Sequence, residues 1–252
     1  MSDSTRTDPQ RPAALVTGAT GGIGEAIVEA LAGAGFDLTV TGRRKDRLDA
    51  LAEEMSHHGT RVAAVPADLT TEDDIESLVA AHGSAYGRMD VMVNCAGGGI
   101  LRGLEKQKIK HIDLQLDLNL RSAVVLFRAG LPLLREAVAA KGFANVVNVS
   151  SAAGKHGQPG LTVYSAAKHG LVGFTEASNA EFGAEGIRST VFCPGLVDTP
   201  LAAAYDTAAE DMVRPTDLAT AVLWLVQLSP RCLIPEISFL SPTGALSGDG
   251  SR

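Results

Sequence analysis

Two side chains that can move a proton, Tyr164 and Lys168, stand four residues apart in the sequence. The residues that follow, through Phe174, continue at helical spacing, which predicts that both side chains lie on one helix face with Cβ atoms about 5–6 Å apart. An ammonium group beside a phenol favours the phenolate and lowers a pKa that starts near ~10. Proton transfer is most efficient near neutral pKa, so the pair is a candidate acid–base device. The same spacing also occurs on ordinary solvated helix faces.

The elements that would position this pair are those of one α/β domain. The chain has 252 residues, of which 45% are hydrophobic and 20% are charged, an ordinary globular composition. No repeat or linker-like break interrupts it, so we predict a single domain over residues 13–242. The polar ends, residues 1–12 and 243–252, are predicted to be disordered tails.

Charge and composition exclude several classes of protein. The net charge is −7 and no basic stripe is present, which argues against a nucleic-acid partner. Cys95, Cys193 and Cys232 are scattered and form no CxxC pair, so reduced thiols are expected. His57 and His58 are adjacent and would point in different directions on a helix, and the remaining histidines are isolated, so no metal site is expected. The first residues carry no signal-peptide pattern and no apolar run approaches a membrane span. We therefore predict a soluble, cytoplasmic protein.

A glycine-rich turn follows the first apolar run. The run over residues 13–17 is typical of a buried parallel strand, and Gly18, Gly22 and Gly24 come directly after it. A helical pattern then runs from Ile23 to Ala34, and a second strand is predicted over residues 36–41. Glycines let a ligand approach the backbone, and the helix N-terminus suits a pyrophosphate. This strand–glycine–helix–strand order favours dinucleotide binding over a simple turn.

The end of the second predicted strand bears on which dinucleotide is bound. Sites for NAD usually carry Asp or Glu there to bond the ribose hydroxyls. This chain has Gly42, Arg43 and Arg44 instead. No carboxylate would repel a 2′-phosphate, and two guanidinium groups can bind one, so NADP(H) is preferred and NAD(H) remains possible. The alternative is that both arginines only cap the loop before the next helix.

Strands and helices alternate through the remaining sequence. The other strands are predicted over residues 61–66, 90–94, 145–149, 187–192 and 235–240, and the other helices over residues 46–55, 72–86, 109–140, 162–184 and 216–228. This order predicts a doubly wound parallel sheet of about seven strands, of the Rossmann type, with helices on both faces.

Several polar residues follow the predicted strands or interrupt the helices. Asp68 follows the third strand, where it either contacts an adenine or forms a turn. A second glycine-rich turn follows Asn94, at the edge of the sheet where such folds bind ligands. Asn119 stands between leucines inside the longest predicted helix, as a satisfied core amide, a water ligand or a bend. Residues 201–214 are either a lid over a substrate or a surface connection.

Taken in order, these motifs resemble the classical short-chain dehydrogenase/reductase family, from about Ala13 to Pro242. Residues 17–24 resemble the family's TGxxxGxG, and residues 94–97 its NNAG with Cys95 in place of the second Asn. Asn119 falls at the family's active-site Asn. Ser151, Tyr164 and Lys168 match its Ser and YxxxK, and Pro194, Gly195 and Thr199 match its PG motif and following Thr.

The resemblance implies a role for each matched residue. Tyr164 would exchange a proton with the substrate oxygen, Ser151 would hydrogen-bond that oxygen, and Lys168 would hold the nicotinamide ribose and lower the Tyr164 pKa. Asn119 would hold a water that links Lys168 to solvent. The cofactor site would comprise Gly18, Thr20, Gly22, Ile23, Gly24, Arg43, Arg44, Asp68, Leu69, Asn94, Ala96, Gly97, Pro194, Gly195, Val197 and Thr199, together with Tyr164 and Lys168.

Two ambiguities remain within the resemblance. Ser150 and Ser151 are adjacent, and Ser151 is chosen on its distance along the chain to Tyr164. Members with a basic residue before the second motif glycine use it for NADP; here Gly21 stands there, so the NADP preference depends on Arg43 and Arg44.

The function expected is reduction of a small carbonyl compound, or oxidation of the alcohol, most similar to 3-oxoacyl-acyl-carrier-protein reductases. An NAD-dependent alcohol dehydrogenase and a non-catalytic dinucleotide sensor are the alternatives. The family usually forms homodimers or homotetramers, so the resemblance also implies a homo-oligomer.

Overall fold

A parallel sheet of seven strands forms the centre of the protein. The structure is a computed structural model and describes residues 11–242. The strands are β1 (Ala13–Thr17), β2 (Asp37–Gly42), β3 (Val62–Pro66), β4 (Val91–Asn94), β5 (Ala144–Val149), β6 (Ile187–Pro194) and β7 (Glu236–Phe239). Their order across the sheet is β3-β2-β1-β4-β5-β6-β7, and each pair is parallel. The Rossmann-type prediction is thereby confirmed.

Helices cover both faces of this sheet. They are α1 (Gly22–Gly33), α2 (Lys45–Ser56), α3 (Glu72–Tyr86), α4 (Ile109–Leu116), α5 (Ser122–Lys141), α6 (Thr162–Phe182) and α7 (Pro215–Gln227). On one face Ile27, Leu48 and Val222 of α1, α2 and α7 share one buried cluster with β1, β2 and β4. On the other face Leu78 of α3 and Leu126 of α5 belong to a second cluster. The central strands β1 and β4 are buried on both faces, which explains why their sequences are apolar up to the last residue.

The longest predicted helix, residues 109–140, is two helices joined by a π-helical turn over Asp117–Arg121. Asn119 occupies this turn and is 2% exposed. Its amide donates to the Gly98 and Gln115 carbonyls at 2.9 and 2.8 Å and accepts from the Gly98 N–H at 3.0 Å. A turn widened by one residue is common where a helix serves a site. Of the alternatives left open for Asn119, the satisfied amide and the helix irregularity both hold.

The sheet order places the candidate residues at one edge. β1 and β4 are neighbours, although β2 and β3 continue from β1 in the other direction. At such a reversal the loops that follow the two adjacent strands separate from each other, and a crevice forms beyond the carboxyl ends of these strands. The turns after Thr17 and Asn94 border this crevice, as do the loops after Val149 and Pro194.

The two ends of the chain lie largely outside the described residues. The disordered tails predicted for residues 1–12 and 243–252 therefore remain predictions, although the Pro12 carbonyl already accepts from the Asp37 N–H at 2.9 Å. Within residues 11–242, no helix is long and apolar enough to cross a membrane.

A buried histidine on α3 makes the fold sensitive to acid. His82 is 0% exposed; its Nε2 lies 3.0 Å from the Arg88 carbonyl and its Nδ1 2.8 Å from Thr39 Oγ1. The carbonyl can only accept, so Nε2 carries the proton and Nδ1 accepts from the threonine hydroxyl. Burial lowers the pKa of His82 from 6.5 to about 4.

We expect the free energy of unfolding of His82→Gln to fall less at acidic pH than that of the wild type. Between about pH 6.5 and 4 the unfolded histidine binds a proton that the folded one does not, so the free energy of unfolding falls as pH falls. The difference between these two pKa values corresponds to about 3 kcal/mol. Urea melts across this range should show that loss in the wild type and not in the variant. The exposed His57→Gln is the control, and equal pH dependence in all three proteins would refute the assignment.

Candidate active site

The glycine-rich turn after β1 is tightly enclosed by its own backbone and by neighbouring loops. Gly18 has φ of +63°, and a Cβ there would lie 2.9 Å from the Ala96 backbone. A Cβ at Gly24 would lie 2.2 Å from the Gly18 carbonyl oxygen, and one at Gly22 would lie 2.8 Å from Thr199 Cγ2. Helix α1 begins at Gly22, and no side chain caps it. Its first N–H groups therefore face the crevice edge without a side-chain acceptor.

Thr17 joins the two glycine-rich turns, a role that the sequence analysis missed. Its Oγ1 accepts from the backbone N–H groups of Cys95 and Ala96, both at 3.0 Å, and donates to the Val93 carbonyl at 3.3 Å. The residue is 2% exposed. A hydroxyl at the last position of an otherwise apolar strand was the signal in the sequence.

The end of β2 presents the two arginines to solvent. Arg43 and Arg44 are both exposed, and Arg44 occupies the N-cap position of α2. The Asp68 carboxylate accepts from the Thr70 N–H at 3.0 Å and from the Thr70 hydroxyl at 2.8 Å. These bonds, with a smaller contribution from the Arg43 charge, hold the pKa of Asp68 below its usual value. Asp68 is thus a turn former that also faces Arg43.

Some predicted cofactor residues have side chains directed into the protein. Asn94 donates to Asn148 Oδ1 at 2.8 Å, and Asn148 donates to Thr175 Oγ1 at 2.9 Å, all within the buried interior. Leu69 is 6% exposed and packs in the core. These two positions can therefore serve a ligand through their backbone rather than their side chains. Thr20 lies beside the end of β2, where a Cβ at Gly42 would meet its hydroxyl at 3.5 Å.

The remaining candidates meet around one cavity of about 320 Å³ at the carboxyl ends of the strands. Nine predicted residues line it: Ile23, Gly97, Ser151, Tyr164, Lys168, Pro194, Gly195, Val197 and Thr199. Asn119 lies just behind the lining, because a Cβ at Gly97 would be 2.7 Å from its Oδ1 and 3.2 Å from Lys168 Nζ.

Ser151 lies beside Tyr164. Its side chain is near enough to the phenol to lower the pKa of Tyr164, and Ser151 Oγ accepts from the Ala153 N–H at 3.1 Å. Ser150 is buried instead, and its hydroxyl donates to the Lys168 carbonyl at 2.9 Å. Ser150 therefore fastens helix α6 to β5, while Ser151 is the serine whose hydroxyl reaches Tyr164.

Lys168 is buried beside the tyrosine. It is 3% exposed, its Nζ donates to the Val149 carbonyl at 2.7 Å, and its ammonium lies 5.6 Å from the centre of the Tyr164 ring. Burial lowers the pKa of Lys168 from 10.5 to about 8.

The electrostatics of Tyr164 differ from the sequence-based expectation. We expected the ammonium to lower the Tyr164 pKa, but burial raises it to about 12, against a smaller lowering by the bond to Ser151. The loss of water around the phenolate outweighs the cation, whose Nζ is directed at the Val149 carbonyl. In the protein alone, Tyr164 is a protonated phenol poised to donate. The Cys95 thiol is likewise kept neutral, since burial raises its pKa to about 12.

Comparison with known proteins places this site in a family. The family model for short chain dehydrogenases matches residues 12–210. The chain belongs to the short-chain dehydrogenase family. Oxidoreductases of Staphylococcus aureus (strain USA300) and Staphylococcus haemolyticus, both uncharacterised, are 29% and 28% identical to this short-chain dehydrogenase over 225 residues, which are 89% of this chain and 95% of each relative.

Solved structures share the fold over nearly the whole chain. An alcohol dehydrogenase of the archaeon Thermococcus sibiricus, complexed with 5-hydroxy-NADP, has a TM-score of 0.84 and 25% identity, covering 92% of this chain and 97% of that one. A variant of the actinorhodin polyketide ketoreductase, with NADPH, has a TM-score of 0.82 and 29% identity, covering 92% and 96%. With the family, these relatives make this short-chain dehydrogenase an oxidoreductase that acts on CH–OH or carbonyl groups.

Part of the cavity lining was not predicted residue by residue. This part, called the substrate-side wall below, consists of Leu101, Gln158, Leu161, Leu201, Ala202, Tyr205, Asp206 and Thr207. Five of these eight residues come from the segment after β6, which is part of the 201–214 stretch for which a lid and a surface connection were both considered. That segment is connected at its base by a bridge between Val197 and Val213 and begins with a 3-10 turn over Pro200–Ala204. The hydrophobic pattern of this segment is weak, so the sequence did not indicate which of its residues line the cavity.

Proposed function

We propose that this short-chain dehydrogenase transfers a hydride between NADP(H) and a carbonyl compound or secondary alcohol, with Tyr164 as the general acid or base. The observation that carries the proposal is that Tyr164, Ser151 and the buried Lys168 line one cavity, with Ser151 near enough to Tyr164 to lower its pKa. Two neighbouring hydroxyl groups in one cavity can hold a carbonyl oxygen and donate a proton to it. The paired hydroxyls are what a reductase needs and what a dinucleotide sensor does not.

The crevice fits a dinucleotide. Side chains at Gly18 and Gly24 would collide with neighbouring backbone, and one at Gly22 would collide with the Thr199 side chain, so glycine keeps this turn narrow. The uncapped start of α1 offers N–H groups to phosphate oxygens. We infer that these glycines with Thr20 and Ile23 hold the pyrophosphate, and that residues 94–97, 194–195, 197 and 199 hold the nicotinamide half. The cofactor, when bound, supplies the hydride chemistry.

The chain's own residues supply orientation and a proton. Tyr164 is protonated at neutral pH, as burial raises its pKa further above the usual value of 10, so it can donate when the substrate oxygen gains negative charge. Ser151 Oγ fixes that oxygen beside the phenol. Lys168 places a positive charge behind the tyrosine, and the Asn119 amide sits next to it across Gly97. We infer that Lys168 holds the ribose and that Asn119 supports the path by which the proton is replaced.

Turnover itself is the first test. The purified protein is mixed with NADPH and a panel of neutral ketones and aldehydes, and the absorbance of the reduced nicotinamide is followed. The proposal predicts substrate-dependent loss of that absorbance. NADPH binding with no turnover across the panel would instead favour the sensor. NADPH and NADH are titrated in the same experiment, which tests the cofactor preference.

We expect Arg43→Ala to weaken NADPH binding by about 10–100-fold, the loss of one or two charge-assisted hydrogen bonds. NADH has no 2′-phosphate, so its affinity should fall much less. The exposed arginine after β2 and the NADP-type cofactors named for similar structures support this preference. Fluorescence titration of both cofactors provides the measurement.

The control for that experiment is Arg47→Ala, which removes the same charge from an exposed position one turn into α2. It should leave the ratio of the two dissociation constants near the wild-type ratio. Equal losses for NADPH and NADH in the Arg43 variant, or a wild-type preference for NADH, would contradict the assignment.

We also propose that the protein is a homodimer or homotetramer. Helices α4 and α5 expose large apolar side chains, among them Ile109 at 72%, Leu114 at 44% and Val124 at 37%. Contiguous exposed apolar surface marks association sites more often than isolated residues do. Sedimentation velocity that shows only monomer at micromolar concentration would contradict this.

A further inference from the structure

The walls of the cavity carry few charges. Of the described residues that line it, two are charged, Lys168 and Asp206. Lys168 is 3% exposed and its Nζ donates to the Val149 carbonyl, so its charge is held within the wall beside Tyr164. The charge that a substrate meets on the substrate-side wall is therefore the Asp206 carboxylate.

Asp206 has a defined position at the mouth of the cavity. The Ala202 N–H donates to the Thr199 carbonyl and the Tyr205 N–H to the Ala202 carbonyl, both at 2.9 Å, so the turn that precedes Asp206 is internally bonded. Tyr205 lies near enough to Tyr164 for its charge to raise the pKa of that residue. Asp206 follows Tyr205 directly and is exposed. The Asp206 carboxylate therefore belongs to the residue directly after Tyr205, whose side chain lies near Tyr164.

No cation neutralises this carboxylate within residues 11–242, where none of the salt bridges involves Asp206. The rest of the substrate-side wall is apolar or neutral: Leu101, Leu161 and Leu201 contribute hydrocarbon, and Gln158 contributes an amide. Such a wall stabilises apolar surface and provides no partner for an anion.

We propose that the substrate is an uncharged ketone or secondary alcohol with an apolar arm, and that Asp206 selects against substrates that carry a carboxylate or phosphate near the reacting carbon. The inference rests on the proposed function and adds the substrate class to it. The apolar arm packs on the leucines while the reacting oxygen meets Ser151 and Tyr164. An anionic group in place of that arm faces an uncompensated negative charge at the cavity mouth, which raises the free energy of its bound state.

Matched substrate pairs test the selection. Ethyl acetoacetate is compared with acetoacetate, and ethyl 5-oxohexanoate with 5-oxohexanoate, by NADPH-dependent kcat/KM in the wild type and in Asp206→Asn. We expect the wild type to favour each ester, and the ester-to-carboxylate ratio of kcat/KM to decrease by about 2–5-fold in Asp206→Asn, the range for one exposed charge pair. The ester-to-carboxylate ratio of kcat/KM in the wild type should also decrease as ionic strength rises, whereas the same ratio in Asp206→Asn should stay constant.

Asp211→Asn is the matched control, because Asp211 lies in the same segment but does not line the cavity, and its ratio should stay at the wild-type value. An unchanged ratio in Asp206→Asn, or a wild-type preference for the carboxylates, would overturn the charge selection while leaving the reductase proposal intact. Absence of turnover for every ketone despite NADPH binding would instead refute the proposed function, and with it this inference.

Discussion

Tyr164→Phe is expected to lower kcat for carbonyl reduction by about 10²–10⁴-fold, the contribution of a positioned general acid. The substitution removes one hydroxyl, whose neighbour is Ser151 Oγ, and keeps the ring that a Cβ at Gly99 would meet at 3.3 Å. The ring contacts therefore persist, and the dissociation constant for NADPH should change by less than about threefold, because no charged bond to the cofactor is lost. Stopped-flow hydride transfer and fluorescence titration measure the two quantities separately.

A second phenol of the same cavity provides the comparison for that experiment. Tyr205 lines the substrate-side wall and is close to Tyr164, but it has no bond to Ser151 among the contacts of the described residues. Tyr205→Phe should lose far less turnover than Tyr164→Phe. If both variants lose equal activity, or if Tyr164→Phe retains the wild-type rate, the acid is not Tyr164.

The sheet and its glycine-rich turn could be predicted because their signals are local. Four apolar residues and Thr17 before Gly18, and a helical pattern after it, define a strand–turn–helix unit whatever the rest of the chain does. The order of seven such units then leaves few topologies, since parallel crossovers share one hand. The Tyr164 and Lys168 pair is equally local, because both residues belong to helix α6.

What the sequence could not show depends on contacts between distant segments. Asn119 and Gly98 are 21 residues apart, and their two hydrogen bonds tie the widened turn at Asp117–Arg121 to the loop after β4. The raised pKa of Tyr164 depends on how many groups enclose the phenol, which no spacing reveals. Asp206 belongs to a segment without hydrophobic periodicity. Its position at the cavity mouth depends on how the loop after β6 packs, which no sequence pattern indicates.

Lys168→Met is expected to abolish most activity without destabilising the protein. The folded pKa of about 8 against 10.5 means that the ammonium costs about 3 kcal/mol of stability at neutral pH. Methionine removes that cost at similar volume, while leaving the Val149 carbonyl without its donor loses about 1–3 kcal/mol. The gain equals or exceeds the loss, so the free energy of unfolding should not fall. Loss of a preorganised charge beside the reacting groups should lower kcat by about 10²–10³-fold.

The pH dependence of stability separates this explanation from a purely structural one. Between about pH 8 and 10.5 the unfolded lysine is protonated and the folded one is not. This difference raises the free energy of unfolding of the wild type as pH rises through that window. The Met variant lacks the group and should lack that contribution, whereas the exposed Lys106→Met should retain it together with activity. A Met variant that is much less stable than the wild type at neutral pH would show that the ammonium stabilises the fold. Lys168 would then be a structural cation, and the fall in rate would follow from disorder at the site rather than from a missing charge.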